Sequence, residues 1–218
     1  VGETLLRGGV LEYQVGTPEP TFSGSTLQNY SCRGHAALDI SPTNATINGA
    51  THWSGIPFWL QGPVTIAAAG QVDSANTTLL VASGNRNALT VNGTLNLGAA
   101  GLPVTLKSGV TPPVIWSYVL YNASAKGAIT NTTFRDGQGP QYGPEGALTI
   151  FSTNPIAVSN TTFTNCFGGA GINTGGSSAP SFTSLNLPGC RVTIFSTSKP
   201  AFHCGGCGRG GKRVWGGV

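Results

Sequence analysis

The stretch AITNTTF at residues 128–134 returns as AVSNTTF at residues 157–163, and these two copies decide the fold class. Each copy begins with a short alternation of apolar and polar residues. A polar segment expected to form a corner follows, and then a second apolar position. Looser copies begin near residues 20, 45 and 181. The spacing between equivalent apolar residues is 25 positions for Phe22 and Ile47, 29 for Ile129 and Val158, and 24 for Val158 and Phe182. A return of this length is typical of a solenoid, a propeller or another array.

The composition of the 218 residues favours β-structure. Only 8% of the residues are charged, against about 25% in an average globular protein. Met is absent, and the other long, straight side chains that favour helices are few. Short alternating stretches such as residues 64–66 and 147–150 are bounded by Gly, Asn, Pro or Ser, which is the pattern of strands and turns. We therefore predict an all-β fold.

The repeated phrase returns in the same direction after one circuit, which favours stacked parallel coils over antiparallel ribbons. One coil cannot bury its own apolar side chains, so stacking must supply a continuous core. We predict roughly eight coils of about 24 residues each. The apolar residues expected inside are Phe22, Ile47, Leu79, Val81, Leu89, Val91, Leu95, Val104, Leu106, Ile129, Phe134, Leu148, Ile150, Val158, Phe163, Ile172 and Phe182.

Residues 56–121 carry an ordered series of steps in addition to the period. The steps are IPFWLQGPVTIAAAG at 56–70, ALTVNGTLN at 88–96, LPVTLKSG at 102–109 and PPVIWSYV at 112–119. This series resembles the coils of bacterial right-handed parallel β-helix repeat proteins, in which an aromatic-containing entry precedes valine-rich steps and a Trp-containing step. With its weaker coils, the resemblance covers about nine tenths of the chain. The chain departs from that pattern at residues 73–78 and at Val114-Ile115, where the family often has a glycine pair.

The resemblance implies a right-handed parallel β-helix in a secreted or cell-surface protein, within a family of mostly unassigned function. The same helix also carries carbohydrate lyases, glycosidases and phage tailspikes, so the fold does not settle the function. We expect one β-helix domain at residues 1–202, in which residues 1–56 end a preceding coil series and residues 57–202 form the main series. Residues 203–218, rich in Gly, Cys and basic side chains, are expected to be a disordered tail. Both ends suggest a longer parent chain with further coils.

One excursion between strands contains the candidate catalytic residues. Glycoside hydrolysis needs two carboxyl groups about 5–9.5 Å apart, and Asp136 and Glu145 both lie within residues 135–146. The excursion also has the composition of an ordinary flexible Gly-Pro loop. A lyase would need clustered acids and a base as well, and no two acids are adjacent. The sequence therefore favours a non-catalytic module, with a polysaccharide hydrolase or lyase as the alternative.

Aromatic side chains are the candidate ligand contacts, since exposed rings can stack on sugars. Trp53 and Tyr142 are the candidates, whereas Trp59 and Trp116 lie in the recurring coil pattern and are expected to cover the core. The resulting hypothesis is a rigid surface or adhesion scaffold, exported from the cell, that contacts a polysaccharide or a cell-surface glycan.

Several partners and cofactors are not expected. The motif HCGGC at residues 203–207 offers three metal ligands, while a structural zinc site needs four, so no metal and no cofactor are predicted. The five cysteines allow a disulfide without requiring one. Four of the 11 basic residues fall in the last 20 positions, which leaves a nearly neutral body and argues against nucleic-acid binding. No apolar run approaches the roughly 18 residues of a membrane span.

Seven Asn-x-Ser/Thr triplets occur, beginning at Asn29, Asn44, Asn76, Asn92, Asn122, Asn131 and Asn160. They are potential glycosylation acceptors in a eukaryotic secretory setting. Asn also tolerates left-handed backbone angles at tight corners and can stack as amide ladders. Because the repeat itself generates most of these triplets, we interpret them as corners of the coil.

Overall fold

A computed structural model describes residues 5–13, 21–22, 26–34, 38–40, 45–55, 57–60, 62–81, 89–111, 113, 116, 118–137, 146–166, 170–194 and 201–203. Among these, side chains are described within residues 46–192, except at 170 and 191. These residues form strands and turns, and none of them is helical. The predicted all-β class is therefore confirmed. No segment of the described chain is a helix of the length and apolarity that crossing a membrane would take.

The strands are short and follow one another closely along the chain. The first eleven are β1 (Leu5–Tyr13), β2 (Thr21–Phe22), β3 (Thr26–Gly34), β4 (Leu38–Ile40), β5 (Ala45–Ile47), β6 (Ala50–Ser54), β7 (Phe58–Leu60), β8 (Val64–Ile66), β9 (Gln71–Ala75), β10 (Thr77–Val81) and β11 (Leu89–Val91). The others are β12 (Thr94–Leu97), β13 (Val104–Ser108), β14 (Val119–Tyr121), β15 (Lys126–Thr130), β16 (Thr132–Arg135), β17 (Leu148–Ile150), β18 (Ala157–Thr164), β19 (Ala170–Thr174), β20 (Ser181–Asn186), β21 (Arg191–Ile194) and β22 (Ala201–His203).

Parallel pairing arranges these strands as a solenoid. Four successive turns, at residues 64–81, 89–108, 119–135 and 148–164, each add a strand to three stacks. The first stack is β8, β11, β14 and β17, and the second is β9, β12, β15 and the start of β18. The third is β10, β13, β16 and the end of β18. Strands β5, β6 and β7 pair onto the first of these turns, and β19 and β20 pair onto the last.

The register of the second stack confirms the repeat on which the fold prediction rested. Leu97 pairs with Ile129, Ile129 with Val158, and Val158 with Phe182. The two AxxNTTF copies therefore lie directly on one another, one turn apart. The circuits in this column are 32, 29 and 24 residues long, so the turns differ in length because their loops differ while the strands stay in register.

The equivalence predicted between Phe22 and Ile47 is wrong. Phe22 pairs with Ile40, whereas Ile47 pairs with Leu27 on one side and with Ile66 on the other. The two residues therefore belong to different stacks. Two apolar residues that each follow a Thr look alike locally, but which of the three stacks a strand joins depends on the loops before it.

The core runs along the axis of the solenoid and is built by period-two alternation. Strands β7, β8, β11 and β14 each place their first and third residues inside and the middle one outside. Every residue predicted to lie inside is buried, except Phe22, whose side chain lies outside the described part. Phe134 and Phe163 stack on successive turns with ring centroids 4.7 Å apart and planes 6° apart. Burial of one such large side chain contributes about 1.5–3 kcal/mol.

The corners use Asn as the sequence predicted. Asn76, Asn131 and Asn160 have φ angles of 50°, 48° and 47°, the left-handed region that Asn tolerates better than most residues. At another corner the amide of Asn122 donates to the Oδ1 of Asn92 one turn away, at 2.8 Å. Left-handed corners and this amide contact thus account for five of the seven triplets. Asn29 lies within β3 and not at a corner, and Asn44 lies outside the described residues.

Candidate functional site

One outer surface of the solenoid combines an aromatic ring, hydroxyl groups and cations. We call it the Trp59 face, and it consists of the outward side chains of β7, β10, β13, β16 and the end of β18. Its members are Trp59, Thr78, Leu80, Thr105, Lys107, Thr133, Arg135 and Thr162. Their outward direction follows from alternation, since the residues between them are core residues.

A continuous row of threonines runs along this face. Thr78 pairs with Thr105, Thr105 with Thr133, and Thr133 with Thr162, and all four are half-buried. Neighbouring strands in a sheet are about 4.8 Å apart, so the hydroxyl groups recur at that spacing along the axis. The row is held in place because β-branched side chains have restricted χ1 angles and because each of its four strands pairs with a strand on both sides.

Trp59 lies beside this row and is half-buried. It pairs in register with Leu80 on the next turn. A Cβ atom added to Gly109 would lie 3.3 Å from Trp59 Cε2 and Cζ2 and 3.4 Å from Leu80 Cβ. The indole therefore extends along the surface toward Gly109, in space that the missing side chain leaves open. As a half-buried residue, Trp59 keeps part of its surface in contact with solvent.

Two cations lie on later turns, in the row that contains Trp59 and Leu80. Lys107 pairs in register with Leu80, and Arg135 follows Phe134, the residue paired with Leu106. The exposed Arg135 has its Nε 3.6 Å from the Oδ2 of Asp136. Within the described residues Lys107 forms no ion pair, so the face presents positive charge next to Trp59.

A second polar cluster lies on the outer surface of the second stack. His52, Asp73 and Asn96 occupy the same position on three successive turns. Asp73 accepts hydrogen bonds from the side-chain amides of Asn96 at 2.7 Å and Gln71 at 2.8 Å, and His52 Nδ1 lies 3.7 Å from its Oδ2. Both are partly open to solvent, with 56% of the His52 side chain and 29% of the Asp73 side chain exposed.

This second cluster can orient an imidazole, but it contains no third reactive group. Asn96 is itself fixed, because its Oδ1 accepts the main-chain N–H of Ala128 at 3.0 Å. In the described part of the chain, no three His, Cys, Asp or Glu side chains come together to hold a metal ion. The cluster is therefore a fixed array of hydrogen-bonding groups.

Asp136, one of the two candidate catalytic acids, is a buried corner residue with 2% of its surface exposed and a φ of 63°. Its Oδ1 accepts the side-chain amide of Asn165 at 2.6 Å, and its main-chain N–H donates to the carbonyl of Thr164 at 3.3 Å. Its own carbonyl accepts the main-chain N–H of Trp116 at 3.3 Å. These contacts join three successive turns. Glu145 lies outside the described residues, and the proposed pair stays a prediction.

Two of the aromatic residues, Trp53 and Trp59, are placed differently from the prediction. Trp53 is fully buried and stacks on Phe58 with centroids 5.2 Å apart, so its ring offers no face to a ligand in this structure. Trp116 is buried as expected, and its Nε1 donates to the carbonyl of Arg135 at 2.7 Å. The expectation that Trp59 covers the core is wrong, since it points outward. Tyr142 lies outside the described residues.

The fold and its surfaces define the class of this protein as a parallel β-solenoid with a polar, positively charged outer face. Comparisons with protein-family models, with curated proteins and with solved structures found no match for this chain.

Proposed function

We propose that the chain is a non-catalytic module of an exported protein, a rigid scaffold that contacts polysaccharide or a cell-surface glycan through the Trp59 face. The observation that carries this proposal is the alignment of a half-buried Trp59, the threonine row and Lys107 on successive turns of one surface. In this proposal the solenoid holds these groups at fixed spacing for a polymer that lies along it.

Sugars suit such a surface for physical reasons. The apolar faces of sugar rings stack on aromatic rings, and their hydroxyl groups exchange hydrogen bonds with threonine hydroxyls. Because the side chains are already held in place, binding costs little conformational entropy. Lys107 and Arg135 would favour polymers that carry carboxylate or sulfate groups, since both cations donate hydrogen bonds to such oxyanions.

The finer architecture belongs to the same proposal. Right-handed coiling, a bacterial source and export rest on the resemblance of residues 56–121 to β-helix repeat proteins. About eight coils are supported by pairings beyond the four turns described above, through Leu11, Cys32 and Trp53 on one side and through Phe182 and Phe202 on the other. A longer solenoid offers a longer face to a polymer.

The test is affinity electrophoresis in gels that contain neutral or acidic polysaccharides. Trp59→Ala should weaken binding to every retained polymer by about tenfold or more, the loss of one stacking contact. Lys107→Gln should weaken binding to acidic polymers alone. The matched control is Lys126→Gln, which removes the same charge from an exposed position in the second stack. Failure of the wild-type chain to bind any polymer, or unchanged binding by Trp59→Ala, would overturn the proposal.

A further inference from the structure

Two cysteines, Cys166 and Cys190, meet at one corner of the solenoid. Cys166 follows the end of β18, and Cys190 precedes β21. Strands β18 and β20 pair with an offset of 24 residues, as in Thr162 with Asn186, and the two cysteines are also 24 positions apart. They therefore occupy the same place on successive turns. Both are buried and not joined by a disulfide, and their thiols are in hydrogen-bond contact.

The two thiols are chemically unequal. The hydrogen bond with Cys190 raises the pKa of Cys166 far above its ordinary value, and burial and the charge of Asp136 act in the same direction. The same contact, in which Cys166 donates, lowers the pKa of Cys190 despite its burial. These directions assign the first ionisation to Cys190, with Cys166 as the thiol that donates to it. A thiolate is the reactive form of cysteine toward oxidants.

We propose that Cys166 and Cys190 form an oxidation site, which a peroxide closes into a disulfide that links two successive turns. Equivalent positions on neighbouring strands are about 4.8 Å apart, and disulfides join Cα atoms that are about 4.4–6.8 Å apart. The bond therefore needs little movement of the backbone. Hydrogen peroxide is small enough to reach a buried sulfur near the surface.

The reaction balances with hydrogen peroxide as the only oxidant. The Cys190 thiolate attacks one peroxide oxygen, the O–O bond breaks, and hydroxide leaves, so that Cys190 becomes a sulfenic acid. The Cys166 sulfur then attacks the Cys190 sulfur, the S–O bond breaks, and the departing hydroxyl leaves as water with the proton of Cys166. In total, two thiols and one peroxide yield one disulfide and two waters, and the two sulfurs lose two electrons.

The consequence is a covalent link that closes a loop across one turn. Such a bond restricts the unfolded chain. We expect the oxidised protein to unfold at a thermal midpoint roughly 5–10 °C above that of the reduced protein. Asp136 is tied to Asn165, the residue before Cys166, at 2.6 Å, so the corner is already held in position before oxidation.

The experiment uses the full chain in a Cys204→Ser, Cys207→Ser background, which removes competing thiols. The reduced protein is treated with a small excess of hydrogen peroxide, digested with trypsin and chymotrypsin, and examined by mass spectrometry without reduction. We expect a Cys166–Cys190 linked peptide and the higher thermal midpoint. The proposal would be overturned if neither cysteine is oxidised in the folded protein, or if every disulfide that forms contains Cys32.

Two single variants test the assigned order of the sulfurs. Cys166→Ser keeps a hydroxyl donor beside Cys190, so a sulfenic-acid trapping reagent such as dimedone should label Cys190 rapidly. Cys190→Ser leaves the less acidic Cys166, whose labelling should be at least tenfold slower. Equal labelling of the two variants would contradict the assignment. The reduced variants should unfold near the wild-type midpoint, which separates loss of the chemistry from loss of the fold.

Discussion

The hydroxyl of Tyr121 donates a 2.9 Å hydrogen bond to the main-chain carbonyl of Leu95, across the interior between two successive turns. Tyr121 is fully buried, and this burial raises the pKa of its phenol well above the ordinary value of about 10. The folded protein therefore holds this proton more tightly than the unfolded chain. The stability that the proton contributes is fully present below about pH 10 and is lost as the pH rises above it.

We predict that the free energy of unfolding of the wild type falls above pH 10 by up to about 1.4 kcal/mol per pH unit through this group. Tyr121→Phe removes the ionisation and should lack that component, while at pH 7 it should cost about 1–2 kcal/mol for the lost hydrogen bond. Urea unfolding of both proteins between pH 7 and 11 measures the difference. Parallel stability curves would contradict the assignment.

Gly127 lies against the same Leu95 carbonyl and has a φ of 127°. A Cβ atom there would overlap the Leu95 oxygen, so Gly127→Ala forces the backbone to move. We expect a loss of about 3 kcal/mol or more. Gly55→Ala is the control, because Gly55 also has a positive φ, 78°, but nothing lies within 4 Å of an added Cβ. It should cost only about 1 kcal/mol, and equal losses in chemical denaturation would refute the crowding argument.

We interpret Asp136 as a structural residue at a corner of the coil. Substitutions at this position distinguish a structural role from a catalytic one. Asp136→Ala leaves the amide of Asn165 without its acceptor and places Ala at a φ of 63°, which should cost about 2–3 kcal/mol. Asp136→Asn keeps a side-chain oxygen that can accept this hydrogen bond, and Asn tolerates a positive φ. This substitution should therefore cost only about 1 kcal/mol. Denaturation gives both values. Release of sugar products from a polysaccharide by the wild type and not by Asp136→Asn would favour the enzymatic alternative.

Asn131 and Asn160 occupy equivalent corners with almost the same φ, but their side chains differ. The amide of Asn131 donates to the carbonyl of Ala99 at 2.7 Å, whereas the exposed Asn160 has no side-chain hydrogen bond within the described residues. Asn160→Ala should therefore cost about 1 kcal/mol of backbone strain, and Asn131→Ala about 2 kcal/mol. Replacement by Gly should restore Asn160 fully and Asn131 only in part. Thermal and urea unfolding of the four variants test this.

The core could be predicted from sequence because alternation is a local property. Val64–Ile66 and Leu89–Val91 each show apolar residues on either side of a polar one, and the structure buries the apolar pair. Alternation also indicates that Trp53 faces inward, because it stands between the polar residues His52 and Ser54. At Trp59 the signal fails, since Phe58 and Leu60 are also apolar and no polar neighbour marks the outward side.

Contacts between turns could not be predicted in the same way. Asp136 is buried because Asn165 and Cys166 lie on the next turn, 29 and 30 residues later, and no local pattern connects them. The different stacks to which Phe22 and Ile47 belong likewise depend on loop lengths, which vary from turn to turn. Where polar and apolar residues alternate, the sequence thus predicts which residues face inward, and the register of the solenoid determines which of them meet.

The central claim is that equivalent residues rise in equal steps along a parallel solenoid. On the second stack His52, Asp73, Asn96, Ala128, Ala157 and Ser181 form one outward column. The direct measurement is the distance between spin labels, attached through a ketone side chain that leaves the native thiols intact, at residue 52 and at residue 128, 157 or 181. The backbone separations should rise through about 14, 19 and 24 Å, one strand spacing per turn. Distances that do not increase in this order by such steps would contradict the solenoid.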